Sequence, residues 1–378
     1  MKGVEAFTEL VKQYRQHFAK KLSKEVVIKE QGEPIFNPGA FRSSDGQYYV
    51  YGRYSARHWT YPGWIRLYES GDGKNFEKSC EHFLTPPYNV SEHSFGCEDD
   101  RCTKIDDTFV HSYTLLLPES NREPDRKKYL DHVAIALGKS PKEAKFAGLV
   151  DIPKNKNASL FKKDDEVYLL HRPMAWDTPA SVYCGTFTKG YKEAKERVKN
   201  EDDELLIKFP RLTAPNDNKC ILAPFPAWGA YKIGLGAQPL SLGEEWLFTY
   251  HVRTDPYVYW WSAGLMTVTE LGPVIRKLLP FPLCMPDTPW ELVGDVPRVT
   301  FLCGVTERGD TLEFWTGAAD CTIMRVDVEK SYLIDKIEEL GVDSSRIDEV
   351  VKEHVQKNKE ILQNHELVCQ DWLSRVLD

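Results

Sequence analysis

Residues 95–113 read Phe95-Gly96-Cys97-Glu98-Asp99-Asp100-Arg101-Cys102-Thr103-Lys104-Ile105-Asp106-Asp107-Thr108-Phe109-Val110-His111-Ser112-Tyr113. The second half is a strand-like run, a polar turn at Asp106-Asp107 and a strand rich in aromatic and aliphatic residues, which is the pattern of a β-hairpin. The same unit recurs along the chain as DGQYYVYGR (45–53), DDTFVHSYT (106–114), DDEVYLLHR (164–172), GEEWLFTYH (243–251) and GDTLEFWTG (309–317). A strand-like run precedes each: FNPGAF, RCTKI, NASLF, AQPLSL and RVTFLCG. Five sheet units at intervals of about sixty to eighty residues, with room for outer strands between them, predict an all-β chain folded as a five-bladed β-propeller.

The first half of the opening stretch sets three consecutive carboxylates against Arg101. Acidic runs are ordinarily solvated loops. The alternative is that one carboxylate, Asp99, is a general acid held by Arg101 at the mouth of a pocket. The repeat supports that alternative. In a hairpin, the start of the first strand and the end of the second lie together, opposite the turn. Those ends carry Asn37 and Arg53 in the first unit, and Asp99, Arg101 and Tyr113 in the second. The third carries Lys156 and Arg172, the fourth Lys232 and His251, and the fifth Trp315 and Asp320. Each alone reads as a satisfied structural group, but in a propeller all of them ring one end of the axis.

Arg172, Lys156, Lys232 and His251 then crowd one concavity. Unpaired cations held together are costly, and Arg with Lys suits a phosphate. Neutralisation by Asp99, Asp100 and Asp320 is the other reading. An inverting hydrolase needs a second carboxylate to activate water. The first unit offers the amide of Asn37, which cannot take a proton. Phosphate is already a nucleophile and needs only positioning, so the pattern points to phosphorolysis.

Composition sets outer bounds. The 378 residues are 42% hydrophobic and 28% charged, with a net charge of −8, which disfavours binding to nucleic acid or an anionic membrane. No apolar run approaches the ~20 residues of a membrane span. The N-terminus lacks the apolar core of a signal peptide, and nine scattered cysteines fit a cytoplasmic protein with reduced thiols and no metal. Residues 1 to about 25 read as an amphipathic helix with Val4, Phe7, Val11, Tyr14, Phe18 and Leu22 on one face. After Val328 a helix from Tyr332 to Leu340 stops at Gly341. Caps at Asp343-Ser344-Ser345 then open a long helix striped by Ile347, Val351, Val355, Leu362, Cys369, Leu373 and Val376. The expected division is therefore 1–30 as an N-terminal helical extension, 31–328 as the propeller and 329–378 as a C-terminal helical extension. The terminal stripes pack on the propeller or join copies in a homo-oligomer.

The stretches FNPGAF, GCEDDRCTKIDDTF, NKNASLF with LLHRP, KIGLGAQPLSLGEEWLFTYHV, WELVGDVPRVTFLCG and FWTGAADCTI together resemble glycoside hydrolase family 130, the β-mannoside phosphorylases and related β-mannosidases. The likeness runs from about Phe36 to Val328. It implies a five-bladed propeller that cleaves a β-mannoside oligosaccharide with inorganic phosphate as co-substrate and no cofactor. The products would be α-mannose 1-phosphate and a shortened acceptor, with inversion. It makes Asp99 the general acid, acting through a hydroxyl of the mannosyl unit. It puts Lys156, Arg172, Lys232, His251 and Tyr259 at the phosphate, Asn37 and Asp320 near the mannosyl subsite, and Arg53 and Arg101 behind or against the sugar. Two positions depart from the family pattern. Asp100 replaces a proline and sets a second carboxylate beside the acid, among the substrate-binding residues, a feature that favours a β-mannosidase. Lys156 replaces an arginine. A non-catalytic carbohydrate-binding propeller is the remaining alternative. Linkage and acceptor choice would fall to loops near 57–64, 174–180 and 253–261.

Overall fold

Three of the five predicted turns close in two residues, with Asp106, Asp164 and Gly309 at φ 55°, 53° and 61°. That left-handed first residue matches the twist of the flanking strands and is tolerated by Asp and Gly. Each turn joins the two innermost strands of one antiparallel sheet. In the structure, a computed structural model that describes residues 2–55, 63–86, 96–118, 129–152, 154–174, 180–200, 209–254 and 257–363, five such sheets surround an axis as a five-bladed propeller.

Blade one is Ile35–Arg42, Tyr48–Tyr54, Trp64–Ser70 and Glu77–Leu84. Blade two is Gly96–Ile105, Thr108–Pro118, Tyr129–Gly138 and Lys145–Val150, with Arg211–Leu212 added in parallel outside. Blade three is Asn155–Lys163, Glu166–Pro173, Val182–Thr186 and Asn216–Leu222. Blade four has Ala230–Leu235, Trp246–Thr254, Val258–Thr269 and Gly272–Leu278. Blade five begins with Thr300–Arg308, Thr311–Ala318 and Thr322–Glu329. The aromatic and aliphatic residues that mark the repeat fill the spaces between blades, as Trp246, Tyr250, Trp260 and Phe314 do in the largest core. Tyr113 and Trp315, expected at the hairpin ends facing the axis, are buried in inter-blade cores instead.

The ends of the chain differ from the sequence reading. The first helix is Lys2–His17, with Leu10 and Tyr14 buried and Val4 69% exposed. Residues 23–28, expected within a helical extension, are a strand that pairs antiparallel with Thr322–Glu329 and completes blade five. The first strand of the chain therefore closes the ring against the last. Lys24, in that strand, reaches Asp287 Oδ1 at 2.7 Å and the fully buried Glu291 at 3.0 Å. A helix that the reading lacked, Thr188–Asn200, covers blade two with Tyr191 and Ala194. The last helices, Lys330–Leu340 and Ser344–Gln363, bury Leu333, Ile337, Ile347 and Val350 within the chain. Cys369, Leu373 and Val376 lie outside the described residues. Among the described residues no helix is long and apolar enough to cross a membrane.

Removing one partner of a buried ion pair leaves an uncompensated charge, typically at 3–5 kcal/mol. Lys24→Met strands Glu291 and is expected to lower unfolding free energy in urea by about 3 kcal/mol. A loss under about 0.5 kcal/mol would mean that the closure does not depend on this pair.

Candidate active site

All five innermost strands carry one extra residue near the end opposite the turn. The register shifts fall between Phe36 and Gly39, Glu98 and Arg101, Lys156 and Ser159, Ala230 and Lys232, and Leu302 and Gly304. A bulge breaks the in-out alternation of a strand and re-aims a side chain. In blades one to three the bulge holds Asn37, Asp99 and Asn157 at φ 45°, 56° and 49°. Asn and Asp are the side chains that best tolerate that region after glycine. The local chemistry of the bulge and the residue type at the site are therefore one choice.

Asp99, 6% exposed, accepts hydrogen bonds on Oδ1 from Asn37 Nδ2 at 2.9 Å and Arg53 Nη1 at 3.2 Å. Arg53 Nη2 donates to Glu98 Oε1 at 2.6 Å. Lys156 Nζ lies 3.0 Å from both Glu98 Oε2 and Asp131 Oδ1. The result is a chain of alternating charge across blades one to three, and among the described residues both hydrogen bonds to the Asp99 carboxylate fall on one oxygen. Asp320, 6% exposed, lies close enough to feel this chain. Burial pushes its carboxyl up, Arg53 opposes, and Asp99 and Asp295 add to the rise, to about 7. Arg101 does not hold the Asp99 carboxylate as the sequence suggested. Fully buried, it donates to the backbone carbonyls of Asp99, Leu235 and Gly236 at 3.0, 2.9 and 2.6 Å, so it fixes the bulge from beneath.

The cations divide into two groups. Lys156, expected at the phosphate, is committed to Glu98 and Asp131; burial opposes its charge, and those carboxylates raise its pKa. Arg172 and Lys232 form no ion pair among the described residues. Arg172 Nη1 sits 3.3 Å from His251 Nε2, and its Nε is buried without a partner. Burial lowers the pKa of Arg172 and, with Arg172, Arg101 and Lys232 nearby, holds His251 neutral. Burial, Arg172, Lys156 and Arg253 bring the half-buried Lys232 down to about 7. The ring of Tyr259 lies 5.6 Å from Lys232 Nζ and meets Phe301 edge-on at 5.7 Å.

Two residues that the sequence reading missed complete this pocket. Both side-chain polar atoms of Asn157 are buried without a partner. Gly234 keeps the space open: a Cβ there would lie 2.7 Å from each of Arg172 Nη1, Asn157 Oδ1 and His251 Nε2. The signal for Asn157 was in the repeat, because it stands as far ahead of the turn residue Asp164 as Asp99 stands ahead of Asp106. Glu98, Asp131 and Arg253 carry no comparable signal.

Asp100 is not in the pocket. The residue after a bulge points the other way, and Asp100 is fully buried between blades one and two with Oδ2 3.0 Å from His111 Nδ1. Burial acts against a charge on His111, yet the Cys102 sulfur and Asp100 raise its pKa to about 10. Asp100 therefore belongs to a buried ion pair and not to a substrate contact or a second catalytic carboxylate. At the other end of the axis a cavity of about 570 Å³, lined from all five blades by residues such as Arg42, Lys104, Lys162, Gln238 and Glu307, is separated from Asp99 by Arg101 and Gln238. Among the described residues no three His, Cys, Asp or Glu side chains converge as a metal site. Residues 57–62, 175–179 and 255–256, from the loops expected to choose the acceptor, lie outside the described residues.

A sequence model of the family described as beta-1,4-mannooligosaccharide phosphorylase matches residues 8–175 and 215–339. The chain belongs to glycoside hydrolase family 130. Among family-130 relatives it is 28% identical over 300 residues to a 1,2-beta-oligomannan phosphorylase of Thermoanaerobacter, covering 76% of this chain and 86% of that one. It is 25% identical over 278 residues to a beta-1,2-mannobiose phosphorylase of Listeria innocua, covering 73% and 69%. The solved structure of the Listeria beta-1,2-mannobiose phosphorylase with beta-1,2-mannobiose superimposes with a TM-score of 0.64 at 20% identity, over 84% of this chain and 93% of the other. The family fold is thus the propeller that the hairpin repeat predicted.

Asp100→Asn should cost about 3–5 kcal/mol, because it leaves the imidazolium of His111 without its counter-charge. A raised histidine pKa contributes stability that is complete below the unfolded value near 6.5 and is lost as pH rises toward 10. The deficit of the variant, measured by urea melts, is therefore expected to be largest at pH 6 and to shrink by pH 10. A deficit that stays constant across that range would rule out the ion pair as its source.

Proposed function

We propose that this protein is an inverting β-mannoside phosphorylase. It takes inorganic phosphate and a β-mannoside oligosaccharide and yields α-mannose 1-phosphate and a shortened acceptor. The observation that carries the reading is the asymmetry of the pocket. Arg172 and Lys232 have no carboxylate partner among the described residues, and Asn157 is unpartnered beside them. Asp99 stands across from them, and the equivalent bulge of blade one holds an amide, Asn37. Phosphorylase activity in family-130 relatives supports the same reading.

The chemistry follows from these placements. Arg172 and Lys232 bind the phosphate dianion and aim one oxygen at the anomeric carbon of the mannosyl unit, from the face opposite the bond to be broken. As the new C–O bond forms, the glycosidic C–O bond breaks and its electron pair goes to the leaving oxygen. Asp99 supplies the proton for that oxygen, relayed through a mannosyl hydroxyl. Asn37 and Arg53, both on Oδ1, hold the carboxyl in register. Asp320 contacts the mannosyl unit. Neutral His251 accepts from Arg172 and fixes the guanidinium without adding charge. The buried position of Asp100 supports phosphorolysis over hydrolysis.

Mannose 1-phosphate release from β-mannooligosaccharides should require phosphate, and Asp99→Asn should lower kcat by about 10²–10⁴ with folding intact. Free mannose formed equally well without phosphate would overturn the reading. Arg172→Ala is expected to raise KM for phosphate by about 10–100-fold, the worth of a charged hydrogen bond, with a far smaller change in KM for the sugar. Bound phosphate favours the charged form of Lys232, so phosphate affinity should fall as pH rises above about 7 while the ligand-free amine loses its proton. Calorimetry across pH 6–9 tests this, and a flat profile would place Lys232 away from the phosphate.

A further inference from the structure

A third cation stands outside the pocket just described. Arg253 lies directly across the strand pairing from Lys232 on one side and Tyr259 on the other. These three residues form one row at the site end of blade four, on a single face of the sheet. Among the described residues Arg253 forms no ion pair, and its buried Nε has no hydrogen-bond partner. Its guanidinium carbon is 4.3 Å from the ring of Tyr231 and 4.5 Å from that of Tyr257.

Both tyrosines are unusual for a blade edge. Tyr231, 63% exposed, is the extra residue of the blade-four bulge, and Tyr257 is 38% exposed. Tyr257 in turn meets Tyr259 edge-on at 5.6 Å, and Tyr259 meets Phe301, which packs 4.4 Å from His251. A ladder of rings therefore climbs from the buried floor of the anion pocket to the surface, with Arg253 clasped near its top.

The clasp has a chemical consequence. Two π-systems lie within 4.5 Å of the guanidinium and hold it in place at little further entropic cost. Its N–H donors lie in the plane of the group, and that edge is the part that grips a tetrahedral oxyanion in bidentate fashion. A structural arginine at a blade edge would be expected to find a carboxylate or a carbonyl; among the described residues this one has two rings and no carboxylate.

We propose that Arg253, clasped by Tyr231 and Tyr257, is an outer binding station for a phosphate dianion on its way between solvent and the Arg172–Lys232 pocket. The proposal rests on the phosphorylase reading above. The same chemistry serves free phosphate entering and the phosphate group of mannose 1-phosphate leaving or, in reverse, entering. The station shares its row with Lys232, which places it beside the phosphate side of the pocket. Lys232 feels the charge of Arg253, and an anion seated on the outer cation therefore also prepares the inner one.

Arg253→Gln tests this. Calorimetric titration of the sugar-free protein with inorganic phosphate should show binding weakened by about tenfold relative to wild type. The salt dependence of kcat/KM for phosphate should become shallower, since one steering charge is gone. The double variant Tyr231→Ala, Tyr257→Ala keeps the charge but frees it, and should weaken phosphate binding by about threefold. Kinetics in both directions separate the sources. A rise in KM for phosphate alone assigns the station to the free ion, and a matching rise for mannose 1-phosphate assigns it to both; either supports the proposal. Arg253→Gln protein that melts like wild type and binds phosphate within twofold of it overturns the station and leaves the phosphorylase reading standing. Wild-type protein with no affinity for phosphate at all would overturn that reading itself.

Discussion

One guanidinium sits where the five blades meet. Arg101 leaves the innermost strand of blade two, crosses the axis and donates to the carbonyls of Leu235 and Gly236 in blade four, which is not its neighbour in the ring. A third bond goes back to the carbonyl of Asp99. Nothing else in the chain could do this as well. The group is planar, permanently charged and rich in donors, and the carbonyls freed by the bulges need donors in a place that water does not reach. Gln238 repeats the device one layer down, bridging blade four to Ala40 in blade one and Val305 in blade five. The axial channel is thereby plugged, and the pocket has a floor.

That floor explains why the bulges can be used for chemistry. A non-glycine residue at positive φ is strained, and such strain persists only where the surroundings over-determine it. For Asp99 the surroundings are Arg101 below, Asn37 and Arg53 beside, and the Asp100–His111 pair behind. The two aspartates differ in role because the bulge re-aims the strand between Glu98 and Arg101. One faces the axis and one faces the gap between blades. Asp100 thus anchors the backbone that presents Asp99, and its charge is balanced by a histidine that burial alone would have kept neutral.

The same geometry sorts the cations. Lys156 and Arg172 face each other in register across blade three, yet one is satisfied and the other is not. Lys156 leans toward blade two, where Glu98 and Asp131 wait; Arg172 leans toward blade four, where Gly234 leaves room and neutral His251 stands, and among the described residues it meets no carboxylate. Among the described residues, charge is balanced on the Asp99 side of the pocket and left in surplus on the other. A surplus that no described carboxylate cancels suits an anion, and this imbalance distinguishes the pocket from a merely polar one.

The sequence was sufficient for the fold and for most of the residues at the axis. Polar turns before aromatic strands, repeated five times, are local signals, since turn chemistry and alternation act within a few residues. The placement of Asn37, Arg53, Asp99, Arg172, Lys232, His251 and Asp320 at hairpin ends followed from that repeat. What the sequence did not contain was pairing. The strand status of residues 23–28 depends on the exposed edge of a strand three hundred residues away, because a lone six-residue segment of that pattern has no partner to hydrogen-bond. Whether a charge is free or spent, as with Lys156 against Arg172, depends on which blade its neighbour belongs to. Whether Asp100 faces substrate or core depends on a one-residue bulge that only pairing with the next strand defines. Local patterns set the elements; the closure of the ring, which brings distant side chains within hydrogen-bonding reach, decided what each of them does.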